Sequence, residues 1–364
     1  MKILTSSDFH LGMKFKNYPE VSEKLIAARF TALSTLVAAA NSNHCDLFLL
    51  AGDLFDTTSV SKATILQARK ILDEFTGKLV AVLPGNHDFY VQGEKDLWDT
   101  FIGEGRGNVL VLKERVPVPL SEWGIDACLY PAPCFAKHSD ENGIGWIAGA
   151  TRPSCSFHIG VAHGSVEGIS PDMDGRYYPM GRDEIDRLGL DTMFIGHTHV
   201  QRALGKLFIP GTPEPDGFDC EHDGAGLLVE LEAGKAPKAT PVPSGTYTWR
   251  HETRTLSVEA DVEQLLTDLS QPVYQKRLLK LRLEGRLPAA AFKRVREIEA
   301  ELRGKCFHLA AFENQVGQII GTPEIDAVYP GGSFAHDLLT ELSRAPEDVG
   351  ALQTAWDLLH EVRP

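Results

Sequence analysis

The chain has 364 residues, 43% of them hydrophobic and 24% charged, with a formal net charge of −14 at pH 7. That length accommodates about two domains, the composition is that of an ordinary globular protein, and the acidic balance argues against nucleic-acid binding through a global positive field. No run approaches the roughly 20 apolar residues that span a bilayer, and the start, MKILTSSDFH, turns polar without a signal-peptide core. A cytoplasmic protein with no membrane association is the expectation. Six cysteines (Cys45, Cys128, Cys134, Cys155, Cys220, Cys306) are scattered without a C-x-x-C pair, so free thiols are expected rather than a disulfide framework or a cysteine zinc site.

In chain order, KILTSSD, DLFLLAGD, KLVAVLPGNHD, FHIGVAHG and DTMFIGHTH are short apolar runs closed by polar turns, and each reads as a buried strand. Helix candidates lie between them at 22–40 and 61–76, the second with Thr57, Thr58 and Ser59 as candidate N-caps. Strands alternating with helices indicate an α/β layered domain. KLFIPGT, AGLLVELE and ATPVPSG then follow without helices between them, which predicts an antiparallel portion. The Gly- and Pro-rich piece 233–245 reads as a hairpin and strand in preference to a linker. From about Thr246 the pattern changes to strand (YTWRHETRTLSVE), helix (261–269), strand (QKRLLKLRLEG), helix (287–303) and strand (KCFHLAAFE), a compact β-α-β-α-β unit. Residues 332–364 hold two helical segments separated by RAPED. Leu352, Ala355, Trp356 and Leu359 share one face of the last, and Phe334, Leu338 and Leu342 one face of the other. Such helices pack back on their own domain or dock in a partner's groove, with Trp356 as the anchor.

Chemistry collects at the strand ends. They carry Asp8-Phe9-His10, Gly52-Asp53-Leu54-Phe55-Asp56, Gly85-Asn86-His87-Asp88, His163-Gly164 and Gly196-His197-Thr198-His199. Taken singly, each is a capping Asp, a turn before a helix or a hairpin turn. As an ordered set they deliver Asp, Asn and His to the carboxyl edge of a sheet, where α/β proteins bind ligands. Imidazole, carboxylate and amide oxygen together suit manganese, iron or zinc. Residues at i and i+2 on an extended segment share a side, so Asp8 with His10, and His197 with His199, can each serve one centre.

These blocks, in this order and spacing, resemble the calcineurin-like metallophosphoesterase superfamily. TSSDFHLG, AGDLFDT and PGNHD, with GIDAC-LYPAP and IPGTPEPDGFDCEHDGAGLLVELE around them, are similar to the SbcD-type DNA repair exonucleases over residues 1–315. The resemblance implies two packed β-sheets flanked by helices over 1–250, a small β-α-β-α-β DNA-capping domain over 251–315 and a C-terminal helical tail over 316–364. It implies one metal held by Asp8, His10, Asp53 and His199, and a second held by Asp53, Asn86, His163 and His197, with Asp53 bridging. His163 is preferred to His158, which lies inside its strand. Manganese is the implied metal, with iron or zinc as alternatives. His87 becomes the general acid, oriented by Asp88 or Asp56, the latter equally readable as a helix cap.

The implied function is a two-metal phosphodiester hydrolase, a DNA exo- or endonuclease in DNA repair that works with an SbcC-like coiled-coil ATPase through the C-terminal helices; homodimerisation stays open. The alternative is a stand-alone metallophosphatase or cyclic-nucleotide phosphodiesterase. Ten Lys/Arg (276, 277, 280, 282, 286, 293, 294, 296, 303, 305) against four Glu (284, 297, 299, 301) make a local balance of +6. That cluster reads either as a DNA-backbone contact or as a solvated face laced with ion pairs.

Overall fold

A computed structural model describes residues 1–93, 96–103, 107–171, 175–220, 222–344 and 349–362. Residues 345–348 of the RAPED segment and Glu221 lie outside the described residues. The chain forms two compact units, Met1–Trp249 and Arg250–Pro364.

In the first unit, one six-stranded sheet runs β12 (Lys238–Pro243), β11 (Ala225–Glu230), β1 (Lys2–Ser6), β2 (Leu47–Ala51), β3 (Leu79–Leu83) and β4 (Val109–Val111). β1 to β4 are parallel, and β11 and β12 add antiparallel strands. Residues 233–245 therefore form the expected hairpin and strand. The second sheet runs β5 (Val118–Pro119), β6 (Ala127–Ala132), β7 (Phe157–His163), β8 (Thr192–Gly196), β10 (Leu207–Ile209) and β9 (Arg202–Leu204).

The strand periodicity explains the layering. In β2, Phe48 and Leu50 face a core shared with helices α1 (Ser22–Ser42), α2 (Lys62–Leu72) and α3 (Leu97–Gly103). Leu47, Leu49 and Ala51, on the other side of the same strand, pack against Leu129, Ile159, Val161 and Phe194 of the second sheet. A strand apolar on both faces belongs between two layers, which is why these segments read as continuous apolar runs. The outer face of the second sheet is covered by residues including Ile144, Ile147 and Ile185, the last from α4 (Arg182–Arg187). Two sheets thus pack face to face with helices outside.

Two sequence expectations shift here. By length and composition α1 could cross a membrane, contrary to the reading that no run approaches that length. Half of its most apolar window is buried, and Leu33, Leu36, Val37 and Ala40 pack in the core against the sheet. The N-cap of α2 is Ser61, whose hydroxyl accepts from the Thr64 N–H at 3.1 Å, rather than Thr57, Thr58 or Ser59. All six cysteines are free.

The second unit contains most of β13 (Thr248–Leu256), which lies beside β14 (Arg277–Leu287); β15 (His308–Asn314) flanks β14 on its other side, and β16 (Gly317–Gln318) also pairs with β14. β14 and β15 are parallel. Their core collects Val262, Leu265, Leu266 and Leu269 from α5 (Glu259–Leu269) with Leu279, Leu281 and Leu283. The single helix expected over 287–303 is two, α6 (Ala289–Arg296) and α7 (Glu299–Arg303), with no glycine or proline marking the break.

A further core holds Ile325 and Tyr329 with Leu339, Leu352 and Trp356, formed by α8 (Thr322–Val328), α9 (Phe334–Ser343) and α10 (Val349–Glu361). Trp356 is 5% exposed and meets the Tyr329 ring edge-on at 5.9 Å. It is therefore core, and the role of docking anchor does not fit it. In α9 the buried leucine is Leu339, while Phe334 is 78% exposed. Because truncating a buried aromatic leaves a cavity, Trp356→Ala should destabilise this unit by about 3–5 kcal/mol. Phe334→Ala should stay within about 0.5 kcal/mol of wild type. Urea unfolding monitored by circular dichroism compares the two.

Candidate metal centre

The parallel strands β1, β2, β3, β7 and β8 end side by side, and the backbone bends sharply there. Among the described residues, seven non-glycine residues have positive φ, and Asp8 (56°), His10 (44°), Asp53 (52°) and His197 (92°) are four of them. Such conformations cost about 1–3 kcal/mol each and persist only where the surroundings impose them. The imposition is visible: Asp8 N–H donates to the Gly52 carbonyl at 3.1 Å, and His10 N–H to the Asp53 carbonyl at 3.0 Å. Space is the second constraint. A Cβ on Gly85 would overlap the Asp53 carboxylate, and one on Gly52 the His163 ring.

Asp8, Asp53 and His163 bring donor atoms within 4.8 Å of one another; so do Asp8, His10 and His199, and so do His10, Asp53 and His87. Asn86 joins them through Oδ1, 3.0 Å from His163 Nε2. The His197 ring lies 5.5 Å from that of His163, and the backbone N–H of His197 donates to the Asp8 carboxylate at 3.1 Å. His158 stands apart, with Nδ1 bonded to the Tyr130 hydroxyl at 2.8 Å. All seven sequence-derived ligand candidates therefore meet in one place. Asp8, His10, Asp53, Asn86 and His163 form its buried floor, with His87, His197 and His199 half-buried at the rim.

The electrostatics describe a site arranged for cations. His163 Nδ1 lies 2.9 Å from the Ala51 carbonyl, and its Nε2 faces Asn86 Oδ1 at 3.0 Å and Asp53 Oδ2 at 3.3 Å. Every one of those partners only accepts, so both ring nitrogens carry protons. Burial alone would lower the pKa of His163, but the Asp53 carboxylate outweighs it and raises it to about 9. Burial likewise disfavours the Asp53 anion, yet His163, His10 and His87 hold its carboxyl well below the usual range. His10 is the opposite case. It is 3% exposed, neither ring nitrogen has a hydrogen-bond partner, and burial pushes its pKa down to about 4. A neutral buried imidazole with unsatisfied nitrogens is the form a metal takes. The donor set therefore fits divalent ions.

Of the two residues expected to orient His87, Asp88 faces elsewhere, while Asp56 contacts the His87 ring through its backbone carbonyl. Asp88 accepts from the Gly85 N–H at 2.7 Å and the Phe55 N–H at 2.9 Å, so it ties two strand-end loops together and does not face His87. Burial and the nearby Asp53 charge push its carboxyl up to about 8. His87 Nδ1 donates instead to the backbone carbonyl of Asp56 at 3.0 Å. The Asp56 carboxylate stands 3.7 Å from His10 Nδ1.

Several residues around the site escaped the sequence reading. Asp216 sits 3.4 Å from His199 Nδ1 and pairs with Arg29, which is 1% exposed. The Tyr177 ring lies 4.9 Å from that of His197. A signal for Arg29 exists, because it shares α1's buried side with Leu25, Ala28, Leu33 and Leu36, and a charge there needs a buried partner.

Residues 1–201 match a family described as Calcineurin-like phosphoesterase. The metallophosphoesterase YhaO of Bacillus subtilis (strain 168) is 29% identical over 247 residues, 64% of this chain and 58% of that protein. The DNA double-strand break repair protein Mre11 of Saccharolobus solfataricus is 26% identical over 243 residues, 63% of this chain and 60% of that protein. The SbcD polypeptide of the nuclease SbcCD of Escherichia coli (strain K12) is 38% identical over 90 residues, 24% of this chain and 21% of that protein. The chain thus spans less than two thirds of the length of these relatives.

An ion must displace the Nε2 proton of His163, so metal affinity should rise with pH up to about 9 and binding should release protons. Calorimetric titrations of Mn²⁺ in buffers of different ionisation enthalpy measure that release. Gly85→Ala, which pushes on the Asp53 carboxylate, should lower the bound metal measured by elemental analysis while the far-ultraviolet spectrum stays that of wild type.

Proposed function

Because the chain belongs to the calcineurin-like phosphoesterase family, we propose that it hydrolyses phosphodiesters with two divalent ions, manganese foremost, and that its substrate is DNA. The observation that carries the reading is the convergence of Asp53 Oδ2 and Asn86 Oδ1 on one proton at His163 Nε2, beside the unpartnered nitrogens of His10. One ion would be held by Asp8, His10, Asp53 and His199, the other by Asp53, Asn86, His163 and His197. When bound, such a pair supplies a water of lowered pKa and stabilises charge on the attacking and leaving oxygens.

The chain's own residues do the rest. Asp53 is the shared centre: Oδ1 accepts the backbone N–H of His87 at 2.8 Å, while Oδ2 faces the His163 ring at 3.3 Å and the His10 ring at 3.7 Å. The Asp56 carbonyl fixes a proton on His87 Nδ1, leaving Nε2 to contact a phosphate oxygen. Protonated at Nε2, His87 can give that proton to the leaving oxygen. The half-buried rim formed by His87, His197 and His199 admits substrate to a closed floor.

DNA as substrate is supported by the relatives' names, a DNA double-strand break repair protein and a component of a nuclease. A coiled-coil ATPase partner is proposed from the resemblance of TSSDFHLG, AGDLFDT and PGNHD to the SbcD-type exonucleases. The basic residues of the second unit support DNA contact less than their number suggests. Arg277 pairs with Glu252, Arg282 with Glu284, Arg294 with Glu301 and Arg303 with Glu299.

The test is hydrolysis by the purified protein with Mn²⁺ of single-stranded, double-stranded and hairpin DNA beside bis-p-nitrophenyl phosphate. Cleavage of the small ester without DNA would leave a stand-alone phosphodiesterase. His87→Ala should lower turnover by about 10²–10⁴ with metal content unchanged; loss of a metal would assign His87 to the ligand set instead.

A further inference from the structure

Arg29 and Asp216 stand behind the metal centre as a buried ion pair, and no part of the reaction described above uses them. The Arg29 guanidinium lies 2.9 Å from Asp216 Oδ2 and donates to the Phe9 carbonyl at 2.7 Å. Phe9 is the residue between Asp8 and His10. The other Asp216 oxygen, Oδ1, lies 3.4 Å from His199 Nδ1 and 3.5 Å from the Cys220 thiol. Both side chains are nearly closed to solvent, 1% exposed for Arg29 and 10% for Asp216. One cation therefore braces, from behind, the segment that carries Asp8 and His10, and through Asp216 it reaches the ring of His199. These are the three residues whose donor atoms group within 4.8 Å.

We infer that Asp216, locked by Arg29, is a positioning residue for His199: its carboxylate accepts from the Nδ1–H, fixes the ring, and leaves Nε2 for the ion shared with Asp8 and His10. The inference rests on the reading of His199 as a metal ligand. The physical reason is general. An imidazole offers a metal one nitrogen only when the other carries the proton, and a carboxylate on that proton sets tautomer and ring orientation and makes the ligand more basic. A free carboxylate there could rotate away or bind the ion itself. The planar guanidinium fork prevents both by holding one oxygen while it bonds the Phe9 carbonyl. Lysine, a single point charge on a flexible stem, could not reproduce the fork.

Titrating Mn²⁺ calorimetrically into wild type and the isosteric Asp216→Asn tests this. Wild type should show two binding events, and Asp216→Asn should weaken one of them by about 10–100-fold and leave the other unchanged. In a His199→Ala background, adding Asp216→Asn should cause no further loss, because both changes act on one ligand. Unchanged affinities in Asp216→Asn, or losses that multiply in the double variant, would overturn the inference; multiplied losses would make Asp216 a ligand in its own right. A wild type that takes up no Mn²⁺ would overturn the metal-centre reading and this inference with it. A measurement without any variant guards against misfolding. In the Zn²⁺-loaded wild type, histidine nitrogen NMR should show His199 protonated at Nδ1 and metallated at Nε2, and metal on Nδ1 would contradict the assignment.

Discussion

A single buried carboxylate, that of Asp53, organises this protein's candidate site. It is 1% exposed, and it faces His163, His10 and the His87 N–H together. An anion so placed costs several kcal/mol unless partners compensate it, and the chain sets against it the protonated imidazole of His163 and the backbone N–H of His87. The neighbouring backbone is shaped by that requirement. Asp53 itself takes a left-handed conformation, and Gly52 and Gly85 keep side chains out of the space that the carboxylate and His163 fill. The two-sheet core supplies the rigidity that holds those bends, since β2 and β3 are buried on both faces.

Much of the floor was legible in the sequence because it follows local rules. Asp8 and His10 close one apolar run, and parallel strands present their carboxyl ends on one edge, although the backbone at Asp8 and His10 bends to positive φ instead of staying extended. What the sequence does not encode locally is which partner each polar group finds across the fold. Asp88 stands beside His87 in the chain, yet its carboxylate goes to the backbone N–H groups of Gly85 and Phe55. His87 is instead oriented by a main-chain carbonyl, a group every residue has and no motif reveals. Asp216 reaches His199 only because the chain returns to the site after β10.

The second unit shows the same limit for apolar residues. Periodicity identified an apolar face on α10, and Trp356 lies on it, but periodicity says nothing about what covers that face. The answer is Tyr329 and the neighbouring helices of the same unit. In α9 the pattern pointed to Phe334, Leu338 and Leu342; Leu342 does pack against the core beside the buried Leu339, but Phe334 faces solvent. Charge clusters behave alike. Ten basic residues counted along 276–305 read either as a cationic surface or as an ion-paired face, and several are joined to carboxylates, three within the same stretch (Glu284, Glu299, Glu301) and one, Glu252, on β13.

The central claim is that two cations share Asp53. Diffraction from crystals soaked in Mn²⁺, recorded on either side of the manganese absorption edge, tests it most directly. The account predicts two anomalous peaks about 3.5–4 Å apart, with Asp53 bonded to both, Asp8, His10 and His199 around one, and Asn86, His163 and His197 around the other. A single peak, or two that do not share Asp53, would contradict it.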